Sequence, residues 1–252
     1  MSHTLSISTL LLTMVMATWF APAQVSAGES VTVAVATNFH RPMREIVTAF
    51  EKQTGNSVRL ISGSTGKLYA QIFQGAPFHI FFAADVKRPA LLESEDLIKA
   101  GTLFTYATGS LVLWSPDETL NLDDGLAVSL NESVQHFAVA NPKTAPYGAA
   151  AMQALDVAGL TEKVKSKLIF GESVAQAVMF ARSGNAQLAI LPASSIVGAG
   201  GKSIALSSGY QPIIQQAVVL KDAPKSAGEL VSFLSSDSAR AVLRKYGYGV
   251  PQ

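Results

Sequence analysis

The chain holds four histidines, His3, His40, His79 and His136, and no cysteine. None of the four stands in a metal-binding or acid–base spacing. The patterns H-E-x-x-H, G-x-S-x-G and G-x-x-x-x-G-K-[ST] are absent. Ser62-Gly63-Ser64-Thr65-Gly66-Lys67 has the composition of a phosphate loop without its spacing. His79 lies in an apolar run and reads as a partly buried strand histidine rather than a ligand. No nucleophile–base pair can be assigned, and no set of carboxylate, Tyr or His ligands for a metal cation can be assembled. What remains is a set of small polar residues where strands give way to helices. These are Thr37-Asn38, Ser64-Thr65-Gly66, Pro146-Tyr147-Gly148 and Glu172-Ser173-Val174.

Taken singly, each is most simply a helix cap, because Ser, Thr and Asn satisfy the free N–H groups of a first turn. Tyr147 alone reads as a surface or interface aromatic. Taken together they suggest a different chemistry. Helix N-termini offer unpaired N–H groups and the positive end of the helix dipole, and hydroxyls and amides add neutral donors. Several such starts facing one point make an anion site that needs no Lys or Arg.

The elements that would position them follow from hydrophobic periodicity. Val31-Thr32-Val33-Ala34-Val35-Ala36 predicts a buried strand, and Met43, Ile46, Val47 and Phe50 mark one face of the next helix, with Pro42 in its first turn. Ser57-Val58-Arg59-Leu60-Ile61 and the run from His79 to Phe82 predict two further strands, with Asp85 capping the helix that follows. Leu111-Val112-Leu113, Phe137-Ala138-Val139-Ala140, Leu188-Ala189-Ile190-Leu191 and Ala217-Val218-Val219-Leu220 read as later strands, with helices over Tyr147 to Leu155 and Val174 to Ala181 between them. Alternating strands and helices imply parallel sheets with right-handed crossovers, and ligands in such sheets bind at the carboxyl ends of strands. No internal sequence repeat is evident, but the elements fall into two blocks. The predicted division is residues 28–108 plus 216–252 in one lobe and the inserted 109–215 in the other.

The bulk numbers agree with this plan. The chain has 252 residues, 48% hydrophobic and 15% charged, with a formal net charge of +1. That composition supplies a core for two lobes, and it lacks the basic face of a nucleic-acid binder. No Asp, Glu, Lys or Arg precedes Glu29, the stretch 10–20 is mostly apolar, and Val25-Ser26-Ala27 has the small residues of a signal-peptidase site. Residues 1–27 therefore read as an export signal cleaved after Ala27. Without cysteine, the exported domain must rely on its core alone.

Several segments give the chain a family likeness. They are Val33-Ala34-Val35-Ala36-Thr37-Asn38, Gly63-Ser64-Thr65-Gly66-Lys67-Leu68-Tyr69-Ala70-Gln71-Ile72, Gly75-Ala76-Pro77-Phe78-His79-Ile80-Phe81-Phe82-Ala83-Ala84-Asp85, Asn141-Pro142 through Pro146-Tyr147-Gly148, and the tail Arg244-Lys245-Tyr246-Gly247-Tyr248-Gly249-Val250-Pro251. On these the chain resembles the periplasmic molybdate-binding proteins of ABC transporters, across essentially all of the mature sequence. The resemblance implies an α/β, two-lobed, type II periplasmic binding fold, each lobe a mostly parallel sheet flanked by helices, with the ligand in the cleft between lobes. It implies oxyanion contacts at Thr37 and Asn38, at Ser64 and Thr65, and at Tyr147 and Val174, the last two through backbone N–H groups. The Asn38 side-chain N–H can serve as a donor. Two positions depart from the family: His79 stands where many members have Asp, and Pro192 where one branch has a Tyr whose hydroxyl donates.

The resemblance further implies a periplasmic monomer that is not an enzyme, does not span the membrane once mature, and needs no cofactor. Its ligand is molybdate or tungstate and its partner an ABC transporter permease that reads the closed form. Both anions are full dianions at neutral pH, so a site of donors alone suits them, whereas phosphate keeps a proton and favours a carboxylate acceptor. Glu172 is the one carboxylate at the junctions. Placed in the first helical turn it complements the dipole; turned into the cleft it would favour a protonated anion. Sulfate or phosphate, an enzyme on the same scaffold, and a sensory protein remain the alternatives at this level.

Overall fold

The structure is a computed structural model and describes residues 29–250. The expected export signal, residues 1–27, lies outside the described residues. The chain runs β1 (Ser30–Ala36), α1 (His40–Thr54), β2 (Ser57–Gly63), α2 (Thr65–Phe73), β3 (Ile80–Phe82), α3 (Lys87–Ser94) and β4 (Phe104–Gly109). It continues through β5 (Leu111–Ser115), β6 (Phe137–Ala140), α4 (Pro146–Val157), α5 (Thr161–Val164), β7 (Leu168–Gly171), α6 (Val174–Arg182), β8 (Leu188–Pro192), α7 (Ala193–Ile196) and β9 (Lys202–Leu206). Then come β10 (Ile213–Val219), α8 (Lys225–Phe233) and α9 (Asp237–Lys245).

These strands form two five-stranded sheets, ordered β2-β1-β3-β10-β4 and β7-β6-β8-β5-β9. In the first, β2, β1 and β3 are parallel and only β10 runs against the others. In the second, β7, β6 and β8 are parallel and only β5 is reversed. The two sheets therefore share one connectivity, with β1 matching β6, β2 matching β7 and β3 matching β8, although the sequence shows no repeat. The chain passes from the first sheet to the second at Ser110, between β4 and β5, and returns between β9 and β10.

Local sequence explains the central elements. β1 alternates at its exposed start and is then buried on both faces from Val33 to Ala36, as a central parallel strand requires. Helix α1 buries Met43, Ile46, Val47 and Phe50 on one side and ends at Gly55, whose φ of 74° only glycine adopts freely. Between β1 and α1, Thr37–Phe39 make a single 3-10 turn. The Phe39 ring anchors it, 4.6 Å from Tyr106 and 5.5 Å from Tyr248. The cap position of α3 falls to Val86, not to Asp85 as expected, but Asp85, one residue earlier, still accepts from the Arg88 N–H of the first turn at 3.0 Å. The strand expected from His79 begins one residue later, at Ile80. His79 itself is half-buried; its Nδ1 accepts from the Thr32 N–H at 3.0 Å and ties β1 to the entry of β3.

One glycine sets how closely α4 can approach its sheet. A Cβ built on Gly148 would lie 2.1 Å from the Ala140 carbonyl oxygen, which is backbone and cannot turn aside. Gly148→Ala is expected to lose about 3 kcal/mol, the upper end for overpacking, and to lower Tm by roughly 6–12 °C. Gly228, on the exposed side of α8, meets nothing within 4 Å. Gly228→Ala should gain about 0.4–1 kcal/mol, and thermal melts of the two variants side by side test the contrast.

Candidate functional site

β1 and β2 in one sheet, and their counterparts β6 and β7 in the other, end facing the gap between the lobes. Each is followed by a helical start: the Thr37 turn, α2, α4 and α6. These starts enclose a small cavity of about 10 Å³, lined by Ala36, Thr37, Asn38, Ser64, Thr65, Ala84, Ala145, Pro146, Tyr147 and Val174. All six residues singled out from the sequence are among them. Asn38, Ser64, Thr65, Tyr147 and Val174 are buried, and Thr37 is half-buried.

Ser64 carries the clearest local signal. It is the N-cap of α2, with φ −67° and ψ 145°, the extended conformation from which a serine normally caps. Yet its side chain makes no capping bond, and its buried Oγ has no hydrogen-bond partner. A buried hydroxyl without a partner costs about 1–3 kcal/mol; Thr144, Thr161 and Ser226 share this state, but of the four only Ser64 lines the cavity. At Thr65, Oγ1 accepts from the Ala84 N–H at 3.1 Å, which leaves the hydroxyl proton free to donate. Val174 is the first residue of α6 and Tyr147 the second of α4. Their N–H groups therefore have no intrahelical acceptor. Ser173, unlike Ser64, does cap its helix, accepting from the Gln176 N–H at 3.4 Å.

Three expectations need correction or resolution. The Asn38 side chain was expected to donate to the ligand, but its Nδ2 is committed elsewhere: to Gln215 Oε1 at 2.7 Å and to Tyr248 Oη at 3.0 Å. Asn38 can face the cavity through its backbone. Pro192, the end of β8, does not line the cavity. Glu172 also stays outside it. Its carboxylate pairs with Lys67 of the opposite lobe at 2.7 Å, both side chains being more than half exposed. The Lys67 hydrogen bond, then its charge, hold the Glu172 carboxyl below the usual range.

The cavity thus has donors from both lobes and no carboxylate. Further contacts hold the lobes together around it. The Gly66 N–H donates to Thr144 O at 2.8 Å, Ser194 Oγ to Asn38 O at 3.0 Å, and Arg41 Nη1 to Val197 O at 3.0 Å. Beside the cavity, and sharing Thr37, Asn38 and Val174 with it, lies a wider opening of about 360 Å³ that also touches His40, Arg41 and Arg182. It too has no acidic residue in its lining. Burial, and then the Arg44 charge, push His40 below its ordinary value.

Tyr147 is the only titratable residue lining the inner cavity. Burial raises Tyr147 and Tyr106 well above the ordinary phenol value, and raises Tyr248 to about 12. Anion affinity should then be flat from about pH 6 to 9. Fold stability has a different window. The contribution of these phenols is complete below 10.0, the ordinary value, and is lost as pH rises through the folded value, about 12 for Tyr248. On the alkaline side, Tm should hold to about pH 10 and fall steeply above it.

Two matched α/β lobes with a donor-lined cleft define a solute-binding protein. Comparison with known proteins agrees. Residues 31–249 match the model of the bacterial extracellular solute-binding protein family. The molybdate-binding protein ModA of Azotobacter vinelandii is 46% identical over 229 residues, 87% of this chain and 90% of that protein. ModA of Rhodobacter capsulatus is 42% identical, covering 88% of this chain and 89% of that protein. The solved periplasmic molybdate-binding protein of Azotobacter vinelandii superposes with a TM-score of 0.84 at 36% identity, covering 88% of this chain and all of the other. The chain belongs to the bacterial extracellular solute-binding proteins, on the branch that holds the ModA proteins.

Proposed function

We propose that this protein captures molybdate in the periplasm and hands it to the permease of an ABC transporter. Tungstate, of the same shape and charge, is held by the same groups. The observation that carries the reading is the cavity itself: four helical starts from two lobes, an unpartnered Ser64 hydroxyl, and no carboxylate. Such a site stabilises a dianion that has no proton to give. Thr37, Ser64 and Thr65 donate hydroxyl protons, and Asn38, Tyr147 and Val174 donate backbone N–H groups. The relatives named above support molybdate as the ligand.

Closure of the lobes removes water from these bonds, and so strengthens them. The closed form is what a permease can distinguish from the empty one. The protein acts as a monomer, with no cofactor and no chemistry of its own. Among the described residues there is no cluster of three or more His, Cys, Asp or Glu residues for a metal cation, and no helix long and apolar enough to cross a membrane. The lobes divide close to the predicted bounds, residues 28–108 with 216–252 and 109–215, except that Gly109 and all of β10 (Ile213–Val219), Gln215 included, go with the sheet of the first lobe; the export signal is removed after Ala27.

Calorimetric titration of residues 28–252 with molybdate, tungstate, sulfate and phosphate tests the reading. The expected result is tight one-to-one binding of the first two and weak binding of the others. Tightest binding of sulfate or phosphate would keep the fold and replace the ligand, and no heat with any of the four would remove the oxyanion function.

A further inference from the structure

Behind the cavity, on the side of the strands that join the lobes, lies a buried network of neutral polar groups. Its centre is Gln215, in β10, fully buried. Gln215 Oε1 accepts from Asn38 Nδ2 at 2.7 Å and lies 3.1 Å from Tyr106 Oη. Gln215 Nε2 donates to Tyr147 Oη at 3.2 Å. Tyr248 Oη accepts from Asn38 Nδ2 at 3.0 Å and lies 2.9 Å from Asn38 O and 3.0 Å from Ser194 Oγ. Asn38, Tyr106, Gln215 and Tyr248 belong to the first lobe, Tyr147 and Ser194 to the second.

The backbone around Gln215 is shaped for this contact. The pairing of β10 with β4 shifts register between Gln215 and Gln216: Gln215 faces Ala107 and Gln216 faces Thr105, so Tyr106 is the extra residue. A bulge of this kind re-aims side chains. Across from it Gly109 leaves room for the phenol, since a Cβ there would stand 1.8 Å from Tyr147 Oη. A polar side chain is costly to bury unless its bonds are made, and Gln215 makes them to one residue from each half of the cavity wall.

We infer that Gln215 is a positioning residue that couples the two halves of the oxyanion site. It holds the Asn38 turn of one lobe and the Tyr147 helix start of the other in the single arrangement in which their N–H groups point at one anion. This rests on the oxyanion reading above. Gln215 touches no ligand; it acts through Asn38 and Tyr147. Its bond to Tyr147 spans the lobes, so it stabilises the closed form over an open one, and its loss acts on release rather than capture.

The test uses stopped-flow and calorimetric molybdate binding to wild type, Gln215→Leu, Tyr147→Phe and the double variant, with melts of the unliganded proteins and small-angle scattering with and without molybdate. Tyr147→Phe keeps the backbone N–H and the ring and removes only the hydroxyl that Gln215 reaches, so it serves even if Gln215→Leu folds poorly. The expected result is a Kd raised at least tenfold by either single change, carried by koff with kon nearly unchanged. The double variant should be no weaker than the worse single one, and the compaction on adding molybdate should shrink. Additive losses, or losses that follow unliganded Tm and leave the koff–kon balance alone, would make Gln215 a packing residue and overturn the inference. Wild-type protein that binds no oxyanion would overturn the functional reading and this coupling together; wild type that binds while Gln215→Leu binds equally well overturns the coupling alone.

Discussion

Val174→Pro should bind molybdate at least about a hundredfold more weakly than wild type while remaining folded. Proline is tolerated at the first position of a helix, where Val174 stands, because that N–H has no intrahelical acceptor to lose. The residue before a proline must be extended, and Ser173, at φ −149° and ψ 168°, already is. The substitution therefore spares the helix and deletes the N–H proposed to bind the anion. A hydrogen bond to a charged group is worth about 1.5–3 kcal/mol, or roughly 10- to 150-fold in Kd. The proline ring also puts a methylene where the proton was, against the bound anion. Val174→Ala is the control: it trims the buried side chain, keeps the N–H, and should keep most of the affinity. Equal losses in the two variants, by calorimetry, would show that the side chain and not the backbone holds the anion.

Ser64→Ala should move stability and affinity in opposite directions. The Ser64 hydroxyl is buried and no other protein group bonds to it. Removing it relieves a penalty of about 1–3 kcal/mol and should raise unliganded Tm by several degrees. In the complex the same change removes a donor to a dianion and should raise Kd roughly 10- to 150-fold. Thr65→Val makes a useful contrast. It also loses a donor, but it strands the Ala84 N–H that Thr65 Oγ1 accepts at 3.1 Å, so it should lower Tm as well. If Ser64→Ala lowers Tm and leaves Kd alone, Ser64 is an ordinary part of the helix start and has no place in the site.

Much of this site was legible in the sequence because it is local. A β-rich run ending in Thr37-Asn38, and helix starts at Thr65, Tyr147 and Val174, are features of a few adjacent residues, and the open parallel sheet brings their ends together. What was not legible depends on distance. The Asn38 side chain was read as a donor to the ligand, yet its partners lie 177 and 210 residues away, at Gln215 and Tyr248. No local pattern marks either of them as polar core. The strands β4, β7 and β9 were not anticipated. β4 and β9 are part-exposed edge strands without a continuous apolar run, and β7, also at an edge, has only the three-residue run Leu168-Ile169-Phe170, too short for periodicity to separate a strand from a helix end. The shared connectivity of the two sheets left no repeat in the residues, because it is preserved by strand order and not by side-chain identity. The orphaned Ser64 hydroxyl, finally, is indistinguishable in sequence from a capping serine; only its missing bond separates the two.

The most direct test of the account is a crystal of the protein grown with molybdate, with anomalous scattering recorded at the molybdenum edge. The account predicts one molybdenum peak in the inner cavity, with its oxygens about 2.7–3.1 Å from Ser64 Oγ, Thr65 Oγ1 and the backbone nitrogens of Tyr147 and Val174. A peak in the wider opening beside His40 and Arg182, or no peak at all, would contradict it.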